Sequence, residues 1–378
     1  MKNFVLKGDI FLKDEIIKDG FIAVENGLIK EITDDYEGEF EDLSGYIIAP
    51  GLFDTHIHGF KGYDIMDLRA ESINEISKGI VTTGVTNFLA TTLTASKRDL
   101  DEAVRLVADH KGLEGAMLEG IYLEGPFFTE KHKGAQNTDY MMPPNAERVR
   151  ELQEIAKGMI VKIAIAPEYE NSPEFIKEMN HMGIRVSLGH SDATYREAKN
   201  AVDAGASIFV HTYNGMSGLH HRNPGMVGAA MYLKRSYSEL ICDGNHVHPV
   251  AAKILMDVKG RDHIALITDC MMAGGMPDGK YKLGEFEVDV TDGRPTLEGG
   301  SLAGSVLKLS NGVKNVVDWG AASMHEAINM ASLVPAISMG MEDRIGSLEI
   351  GRDANIIVLD RSVNLLRTYV KSELLYKA

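Results

Sequence analysis

The sequence has little cysteine, a shortage of positive charge and no long apolar run, and each of these shortages excludes a class of protein. Two cysteines in 378 residues, Cys242 and Cys270, cannot build a disulfide framework, and both lie in apolar segments typical of buried thiols. The 39 Lys and Arg against 55 Asp and Glu give a net charge of -16, which leaves no general attraction for nucleic acid or an anionic membrane. No apolar run approaches the roughly 18 residues of a membrane span, and charge interrupts residues 1–9 before a signal-peptide core forms. We therefore expect a soluble, cytoplasmic protein that binds neither nucleic acid nor membranes.

The chain begins and ends in short β-like segments and alternates strand and helix patterns between them. A length of 378 residues, at about 150 residues per domain, allows two to three domains or one barrel with a smaller companion. The dipeptide Asn-Gly at residues 26–27 is a hairpin signal between two apolar runs, and residues 356–359 form a similar run near the end. The sequence therefore predicts a small β-sandwich domain, built from residues 1–50 and 345–378, beside a domain of residues 51–344.

Eight apolar segments of the larger domain alternate with amphipathic ones, which is the pattern of βα units around a parallel sheet. The predicted strands cover residues 51–56, 86–90, 116–123, 160–166, 185–188, 208–210, 239–242 and 264–268. The predicted helices cover residues 96–110, 146–157, 172–181, 194–204 and 249–259. Ser96 and Ser172 are helix-capping residue types, and Pro249 suits a first helical turn. Eight such units predict an α/β fold with a (β/α)8 TIM-like barrel.

Side chains that ligate metals stand where predicted strands end. They are His56 and His58 after the first strand, Glu124 after the third, His190 after the fifth, His211 after the sixth and Asp269 after the eighth. In a parallel barrel these ends converge on one rim, the rim that carries active sites. Imidazole and carboxylate ligands suit a divalent transition metal such as Zn²⁺, Fe²⁺, Mn²⁺ or Co²⁺. A single histidine at a strand end is more often an ordinary hydrogen-bonded residue, but here five of the eight strand ends carry such side chains.

Two loops add candidates for contact with a ligand. The loop after the sixth strand contains Asn214, Gly215 and Arg222, and an arginine there could hold a phosphate with two hydrogen bonds. After the seventh strand, His246 lies at the same rim, where it could donate to a substrate carbonyl or to a developing oxyanion. The remaining histidines, among them His132, fit no strand end and are interpreted as surface or core residues.

Eight motifs occur in order along nearly the whole chain. They are PGLFDTHIHG (50–59), YLEGPF (122–127), GHSDAT (189–194), HTYNGM (211–216), NPGMVGAAM (223–231), CDGNHVHP (242–249), ITDCM (267–271) and GRDAN (351–355). In these motifs the chain resembles the N-acetylglucosamine-6-phosphate deacetylases of the amidohydrolase superfamily. The resemblance implies hydrolysis of the acetamide of a phosphorylated amino sugar, N-acetylglucosamine 6-phosphate, to glucosamine 6-phosphate and acetate in amino-sugar catabolism and cell-wall recycling. It also implies a barrel flanked by a β domain, and a homodimer.

The resemblance further implies a metal centre of one or two ions per subunit. Glu124, His190 and His211 match the ligands shared across the family. His56 and His58 match the pair found in members that hold a second ion.

For the chemistry and the substrate, the resemblance implies the following roles. Asp269 matches the general acid and base, and it joins the expected metal ligands. His246 matches the residue that contacts the acetyl carbonyl or the sugar. Asn214 and Gly215 match the turn that contacts the phosphate, and Arg222 matches a phosphate-binding arginine lent by the neighbouring subunit.

The chain departs from family patterns at two places. Some members carry a sugar-contacting histidine in the loop after the third strand, where this chain has Gln136, and we expect Gln136 to hydrogen-bond a sugar hydroxyl without carrying charge. Many superfamily members bridge two metals with a modified lysine on the fourth strand. Residues 164–168, at the end of that strand, contain no lysine, so Glu124 is the expected bridge.

Two other functions fit part of the pattern. A cyclic-amide hydrolase or a nucleobase deaminase on the same scaffold shares the metal ligands but needs no phosphate clamp. A non-catalytic sensor of sugar phosphates shares the fold but has no need of an acid and base such as Asp269. Dependence of the reaction on the phosphate separates the first alternative from a deacetylase, and release of acetate separates the second.

Overall fold

The computed structural model describes residues 2–378, in which strands and helices alternate through the middle and strands alone stand at both ends. The strands are β1 Phe4–Phe11, β2 Ile16–Glu25, β3 Leu28–Thr33, β4 Glu41–Pro50, β5 Leu52–Ile57, β6 Gly59–Phe60, β7 Tyr63–Asp64, β8 Val85–Thr92, β9 Met117–Phe127, β10 Ile160–Ile165, β11 Arg185–Leu188, β12 Ile208–Phe209, β13 Tyr237–Ile241, β14 Ile264–Ile267, β15 Gly279–Leu283, β16 Phe286–Thr291, β17 Arg294–Thr296, β18 Ile356–Leu359, β19 Leu365–Val370 and β20 Glu373–Lys377. The α-helices are α1 Ser72–Ile80, α2 Lys97–Ala108, α3 Ala146–Ile155, α4 Ser172–His181, α5 Tyr195–Ala204, α6 Gly225–Tyr232, α7 Pro249–Lys259, α8 Leu309–Asp318, α9 Met324–Ala331 and α10 Leu333–Met339. Short 3₁₀ helices cover Ile65–Asp67, Val81–Thr83, Glu130–His132, Thr138–Tyr140 and Arg261–His263.

An eight-stranded parallel sheet forms the central barrel, with its strands in the order β5, β8, β9, β10, β11, β12, β13, β14. Each coincides with a predicted strand, and the (β/α)8 prediction is confirmed. All eight residues of β8 are buried, because helices cover the outside of the barrel and side chains fill its interior. The bounds of most strands differ from the prediction by one or two residues, and the largest difference is in β9, which continues to Phe127, past residue 123.

The barrel closes between its first and last strands, beyond the ends of both. Asp269 N donates to His56 O at 2.9 Å, and His58 N donates to Cys270 O at 2.9 Å. Below these bonds the buried Asp54 carboxylate accepts a hydrogen bond from Thr268 Oγ1 at 2.6 Å. Closure therefore brings the end of β5 directly against the residues that follow β14.

The two ends of the chain form one separate sheet of seven strands, in the order β20, β19, β18, β4, β1, β2, β3. The turn between β2 and β3 is the predicted Asn-Gly hairpin, in which Asn26 and Gly27 have φ of 53° and 82°. Leu6, Ile22 and Ile356 are buried in an apolar core that belongs to this sheet. The expected small β unit from both termini is confirmed, and its division from the barrel at residues 50 and 345 stays a prediction.

A small antiparallel sheet of β15, β16 and β17 follows the last barrel strand and was not predicted. Its inner side chains Leu283, Val288 and Val290 pack against Leu93 and Met271 at the carboxyl end of the barrel. Sequence analysis also missed α1, α6, α8, α9 and α10. The small sheet matters for the site because it forms one wall of the cavity described below.

Both cysteines are buried and neither is in a disulfide, as predicted for buried thiols. Burial raises the pKa of both Cys242 and Cys270 well above the usual value of a thiol, so neither offers a thiolate ligand. Among the helices of residues 2–378, none combines the length and apolarity needed to cross a membrane.

Candidate metal centre

The carboxyl ends of five barrel strands supply six buried side chains to one place. These residues are His56 in β5, His58 after β5, Glu124 in β9, His190 after β11, His211 after β12 and Asp269 after β14. All six were predicted to meet at this rim, and the structure brings them together. Parallel strands place such ends on the same edge, which is why residues 213 positions apart in the sequence become neighbours.

Three of these residues have the left-handed backbone conformation, which side chains other than glycine rarely adopt. The φ angles are 45° at His190, 26° at His211 and 51° at Asp269. Each such residue costs of order 1–3 kcal/mol, and such backbone occurs mainly where a site requires a particular direction of the side chain. Here each one stands two residues after the end of a barrel strand.

The six side chains form two groups of three whose ligand atoms lie within 4.8 Å of one another. In the first group, His190 Nε2 and His211 Nε2 are each 3.2 Å from Glu124 Oε1. In the second group, His58 Nε2 is 3.1 Å from Asp269 Oδ1, and His56 Nε2 is 3.5 Å from the same oxygen.

Glu124 stands between the two groups. Its Oε1 faces His190 and His211, and its Oε2 lies 3.3 Å from His58 Nε2. The expectation that Glu124 bridges two ions fits this placement. It stays a proposal, since the chemistry of a bridge depends on the ions themselves.

The charges of the cluster favour a bound cation. Burial would raise the pKa of Asp269, but His56 and His58 lower it to about 2, and the neighbouring histidines likewise hold the pKa of Glu124 well below its usual value. Burial would lower the pKa of His56, but the carboxylates of Glu124 and Asp269 raise it to about 9. His56 Nε2 is buried and makes no hydrogen bond. A buried nitrogen without a partner, among carboxylates, fits a ligand of a divalent transition ion.

Hydrogen bonds to the far side of the rings determine which nitrogen faces the cluster. In three of the histidines, Nδ1 is hydrogen-bonded to a backbone carbonyl oxygen, and such an oxygen can only accept a hydrogen bond. The pairs are His58 with Thr91 (3.3 Å), His190 with His132 (3.0 Å) and His211 with Asn214 (3.1 Å). Each Nδ1 therefore carries the hydrogen and each Nε2 offers its lone pair to the cluster.

A cavity of about 330 Å³ opens above the cluster and is lined by most of the predicted substrate residues. The predicted residues in its lining are His58, Glu124, Gln136, His190, His211, Asn214, Gly215, His246 and Asp269. Gly215 has φ of 60°, and a Cβ there would lie 3.1 Å from His190 Nδ1, so glycine suits this turn. Leu283 and Leu302 form the wall on the side of the small sheet.

Two predicted substrate residues have surroundings that the sequence did not indicate. Gln136 is buried, its Nε2 donates to Glu124 Oε2 at 2.8 Å, and its Oε1 accepts from Thr94 N at 2.8 Å. Arg222 does not line the cavity; it lies on an exposed loop with its Nη1 2.8 Å from His221 Nε2. The structure therefore brings Gln136 to the metal centre and leaves Arg222 outside the cavity of its own chain.

Sequence analysis missed three residues that support the site. Asp243 Oδ2 is 2.7 Å from His246 Nδ1, and Glu239 Oε2 is 3.3 Å from His56 Nδ1. Lys162 forms a buried ion pair with Glu239. The available signal was one charged residue inside an apolar strand, as in YSELI for β13 and IVKIAI for β10.

Comparisons with known proteins agree on one family. The amidohydrolase family matches residues 47–375. The chain is 41% identical to an N-acetylglucosamine-6-phosphate deacetylase of Vibrio furnissii, over 99% of this chain and 94% of the relative. It is 38% identical to an N-acetylgalactosamine-6-phosphate deacetylase of Escherichia coli O157:H7, over 95% of this chain and 93% of the relative. A mutant N-acetyl-D-glucosamine-6-phosphate deacetylase of Mycobacterium smegmatis, solved with N-acetyl-D-glucosamine-6-phosphate, superposes with a TM-score of 0.95 at 26% identity and covers 100% of both chains.

Proposed function

The chain belongs to the amidohydrolase family, and from that premise we propose that it hydrolyses the acetamide of N-acetyl-D-glucosamine 6-phosphate to D-glucosamine 6-phosphate and acetate. The protein is a hydrolase of amino-sugar metabolism, and we place its reaction in amino-sugar catabolism and cell-wall recycling. The observation that carries the proposal is the meeting of four imidazoles and two carboxylates, five of which line one cavity, in a chain 41% identical to a deacetylase of this name.

The metal-binding part of the proposal assigns one or two divalent ions, Zn²⁺ or alternatively Fe²⁺, Mn²⁺ or Co²⁺, to the two groups of ligands. Glu124, His190 and His211 would hold the first ion, and His56, His58 and Asp269 would hold the second. The chemistry supplied by such an ion is a lowered pKa of water and polarisation of a carbonyl oxygen.

Within the cavity, the protein's own groups bind the substrate and move the proton. Asp269 accepts the proton of the attacking water and passes it to the amine nitrogen of the product. Asp243 accepts a hydrogen bond from Nδ1 of His246. This bond orients the ring and leaves Nε2 free to contact the acetyl carbonyl or the sugar. The Asn214 amide nitrogen is buried without a hydrogen-bond partner, so it suits a phosphate oxygen at the turn with Gly215. Gln136 keeps one amide hydrogen for a sugar hydroxyl.

Acetate release is the test of this function. Protein with a measured metal content should release acetate from N-acetylglucosamine 6-phosphate with a kcat/KM at least about 100-fold above that for unphosphorylated N-acetylglucosamine. When the sugar without phosphate is bound, the polar groups that hold the phosphate remain unpaired. Equal rates with and without the phosphate would favour a cyclic-amide hydrolase or deaminase. Binding of the sugar phosphate to metal-loaded protein without release of acetate would favour a sensor. The 6-phosphate of N-acetylgalactosamine belongs in the same assay, because it defines the selectivity for the sugar.

We also propose that the protein is a homodimer in which Arg222 enters the cavity of the neighbouring subunit. Arg222 lies outside the cavity of its own chain, on the exposed loop before α6. Beside this loop, Leu219 is 57% exposed and Tyr232 is 72% exposed, and both line an apolar groove with Met231. Large exposed apolar side chains beside a functional loop are typical of a surface that a protein partner covers.

Arg222→Ala is expected to raise KM for the phosphorylated sugar by about 10–100-fold and to leave kcat nearly unchanged, because a hydrogen-bonded ion pair to the phosphate is lost. A mixed dimer that carries Arg222→Ala in one subunit and Asp269→Asn in the other should show the wild-type KM and about half of the wild-type kcat/KM, since the one site that keeps Asp269 then receives an intact Arg222 from the neighbouring subunit. Arg235→Ala, at an exposed arginine after α6, is the matched control. A monomer in sedimentation at assay concentration, or a mixed dimer with the raised KM of Arg222→Ala, would contradict the shared site.

We propose a cytoplasmic location. The low cysteine content, the reduced buried thiols and a phosphorylated substrate support it.

A further inference from the structure

A buried ion pair lies beneath the metal centre, in the interior of the barrel. Lys162 projects from β10 and Glu239 from β13, and their exposed fractions are 0% and 1%. The Lys162 ammonium contacts Glu239 Oε1 and lies 3.2 Å from Thr55 O. Burying two charges is costly, and replacement of such pairs by apolar residues is often neutral or stabilising. Stability of the core alone therefore does not account for this pair.

The pair is connected to one metal ligand. Glu239 Oε2 is 3.3 Å from His56 Nδ1, and Glu239 Oε1 accepts a hydrogen bond from Thr55 Oγ1 at 3.1 Å. An ionised carboxylate can only accept, so the hydrogen of the His56 ring stands on Nδ1. Nε2, the buried atom that makes no hydrogen bond, is then the nitrogen that would offer a lone pair when an ion replaces its proton.

His56 differs from the other three histidines of the centre in the hydrogen-bond partner of its Nδ1. Those three rings donate from Nδ1 to neutral backbone carbonyls. His56 alone among the four donates to a carboxylate, and such a partner makes the imidazole a more basic ligand as well as orienting it.

The ammonium of Lys162 faces the carboxylate of Glu239 and supplies the opposite charge beside it. The Tyr122 ring completes the arrangement: the Lys162 ammonium lies 3.8 Å from its centroid, and the His56 ring stands edge-on to it at 5.0 Å. The ring of His56 is therefore held on two sides.

We propose that Glu239, supported by Lys162, is a positioning residue that directs His56 Nε2 into the second metal position and thereby determines the affinity of that position. The first position, formed by Glu124, His190 and His211, does not contact the pair. The inference deepens the proposed function and rests on its metal-binding part, but not on the identity of the substrate.

The test measures binding of Co²⁺ to metal-free protein, without any substrate. Glu239→Leu with Lys162→Met removes both charges together, so that neither is left buried alone. We expect one Co²⁺ to bind as in the wild type and the Kd of the second to rise by about 10–100-fold, which is the usual effect of losing the partner of a ligating histidine. Glu239→Gln with Lys162→Met keeps an oxygen that can accept a hydrogen bond from His56 Nδ1. The Kd of its second Co²⁺ should lie between that of the wild type and that of Glu239→Leu with Lys162→Met.

Two further measurements separate positioning from a general structural effect. In a His56→Ala background, Glu239→Leu with Lys162→Met should cause no additional loss of Co²⁺ affinity, because these substitutions act through His56. Circular dichroism and thermal melting of the metal-free variants establish that the barrel is folded. If both variants misfold, the same comparison is made with Glu239→Gln and Lys162→Gln together, which leaves two neutral groups that can hydrogen-bond to each other and whose second Kd should also rise.

Three results would overturn the inference. They are an unchanged second Kd in a folded variant, an equal loss at both positions, and a wild-type protein that binds only one Co²⁺ at saturation. A wild-type protein that binds two ions but releases no acetate from N-acetylglucosamine 6-phosphate would overturn the proposed reaction and leave this inference standing.

Discussion

Asp269→Asn is expected to lower kcat for acetate release by about 10²–10⁴-fold, the usual contribution of a positioned acid and base. Asp269 lines the cavity, its carboxylate is ionised, and its Oδ1 lies 3.1 Å from His58 Nε2. The amide of asparagine has nearly the same shape but cannot accept the proton of the attacking water. Acetate release at saturating substrate measures the effect, together with elemental analysis of the same preparation.

The metal content distinguishes proton transfer from metal binding at this residue. The ion at Glu124, His190 and His211 should remain bound in Asp269→Asn, because these ligands are complete without it. Asp318→Asn makes the same change at a half-exposed carboxylate on α8 and should leave kcat unaltered. Near-normal turnover in Asp269→Asn would refute its role as acid and base. A loss of both ions would assign the effect to metal binding instead.

The barrel and the ligand positions were accessible from the sequence because each depends on a local pattern. Strands buried on both faces are short apolar runs, and the eight runs between helical segments identify them. Residues of metal-ligating types, such as His190 and His211, stand two positions after these runs, and the topology alone then places them on one rim. No contact needed to be known in advance for this step.

The small sheet over the cavity could not be predicted in the same way. Its strands, GKYKL in β15 and FEVDVT in β16, contain alternating apolar and polar residues, but this pattern does not indicate which surface of the barrel they cover. Their place is determined by packing of Leu283 and Val288 against Leu93, which precedes them by about 190 residues in the sequence.

The support beneath the metal centre was inaccessible for a related reason. Lys162 and Glu239 are 77 residues apart, and each is one charged residue in an apolar strand. A single sequence shows that such a residue needs a partner but does not say which one, since any interior position of the eight strands could provide it. The same holds for Gln136, whose contact with Glu124 depends on the course of a loop.

Glu124→Gln is expected to remove both metal positions and to lower kcat/KM by more than about 100-fold. Loss of a residue that only hydrogen-bonds a metal ligand already lowers metal affinity or activity by about 10–100-fold, and loss of a ligand should cost more. Glu124 Oε1 lies 3.2 Å from the Nε2 atoms of His190 and His211, and Oε2 lies 3.3 Å from His58 Nε2. The amide supplies one oxygen instead of two and carries no charge to hold a cation among the histidines. After treatment with a chelator, added Zn²⁺ should restore activity to the wild type and not to the variant.

A melting experiment separates loss of the ligand from loss of the fold in Glu124→Gln. An ion that binds only the folded state stabilises it by about 4 kcal/mol at a concentration 1,000 times its Kd, so wild-type protein should melt at a higher temperature when Zn²⁺ is added. The variant should melt cooperatively without metal and show almost no shift with it. Glu114→Gln, at a carboxylate that is 72% exposed, should retain the full shift. Wild-type metal content and a wild-type shift in Glu124→Gln would mean that the two positions do not depend on this carboxylate, and the bridging assignment would then be wrong.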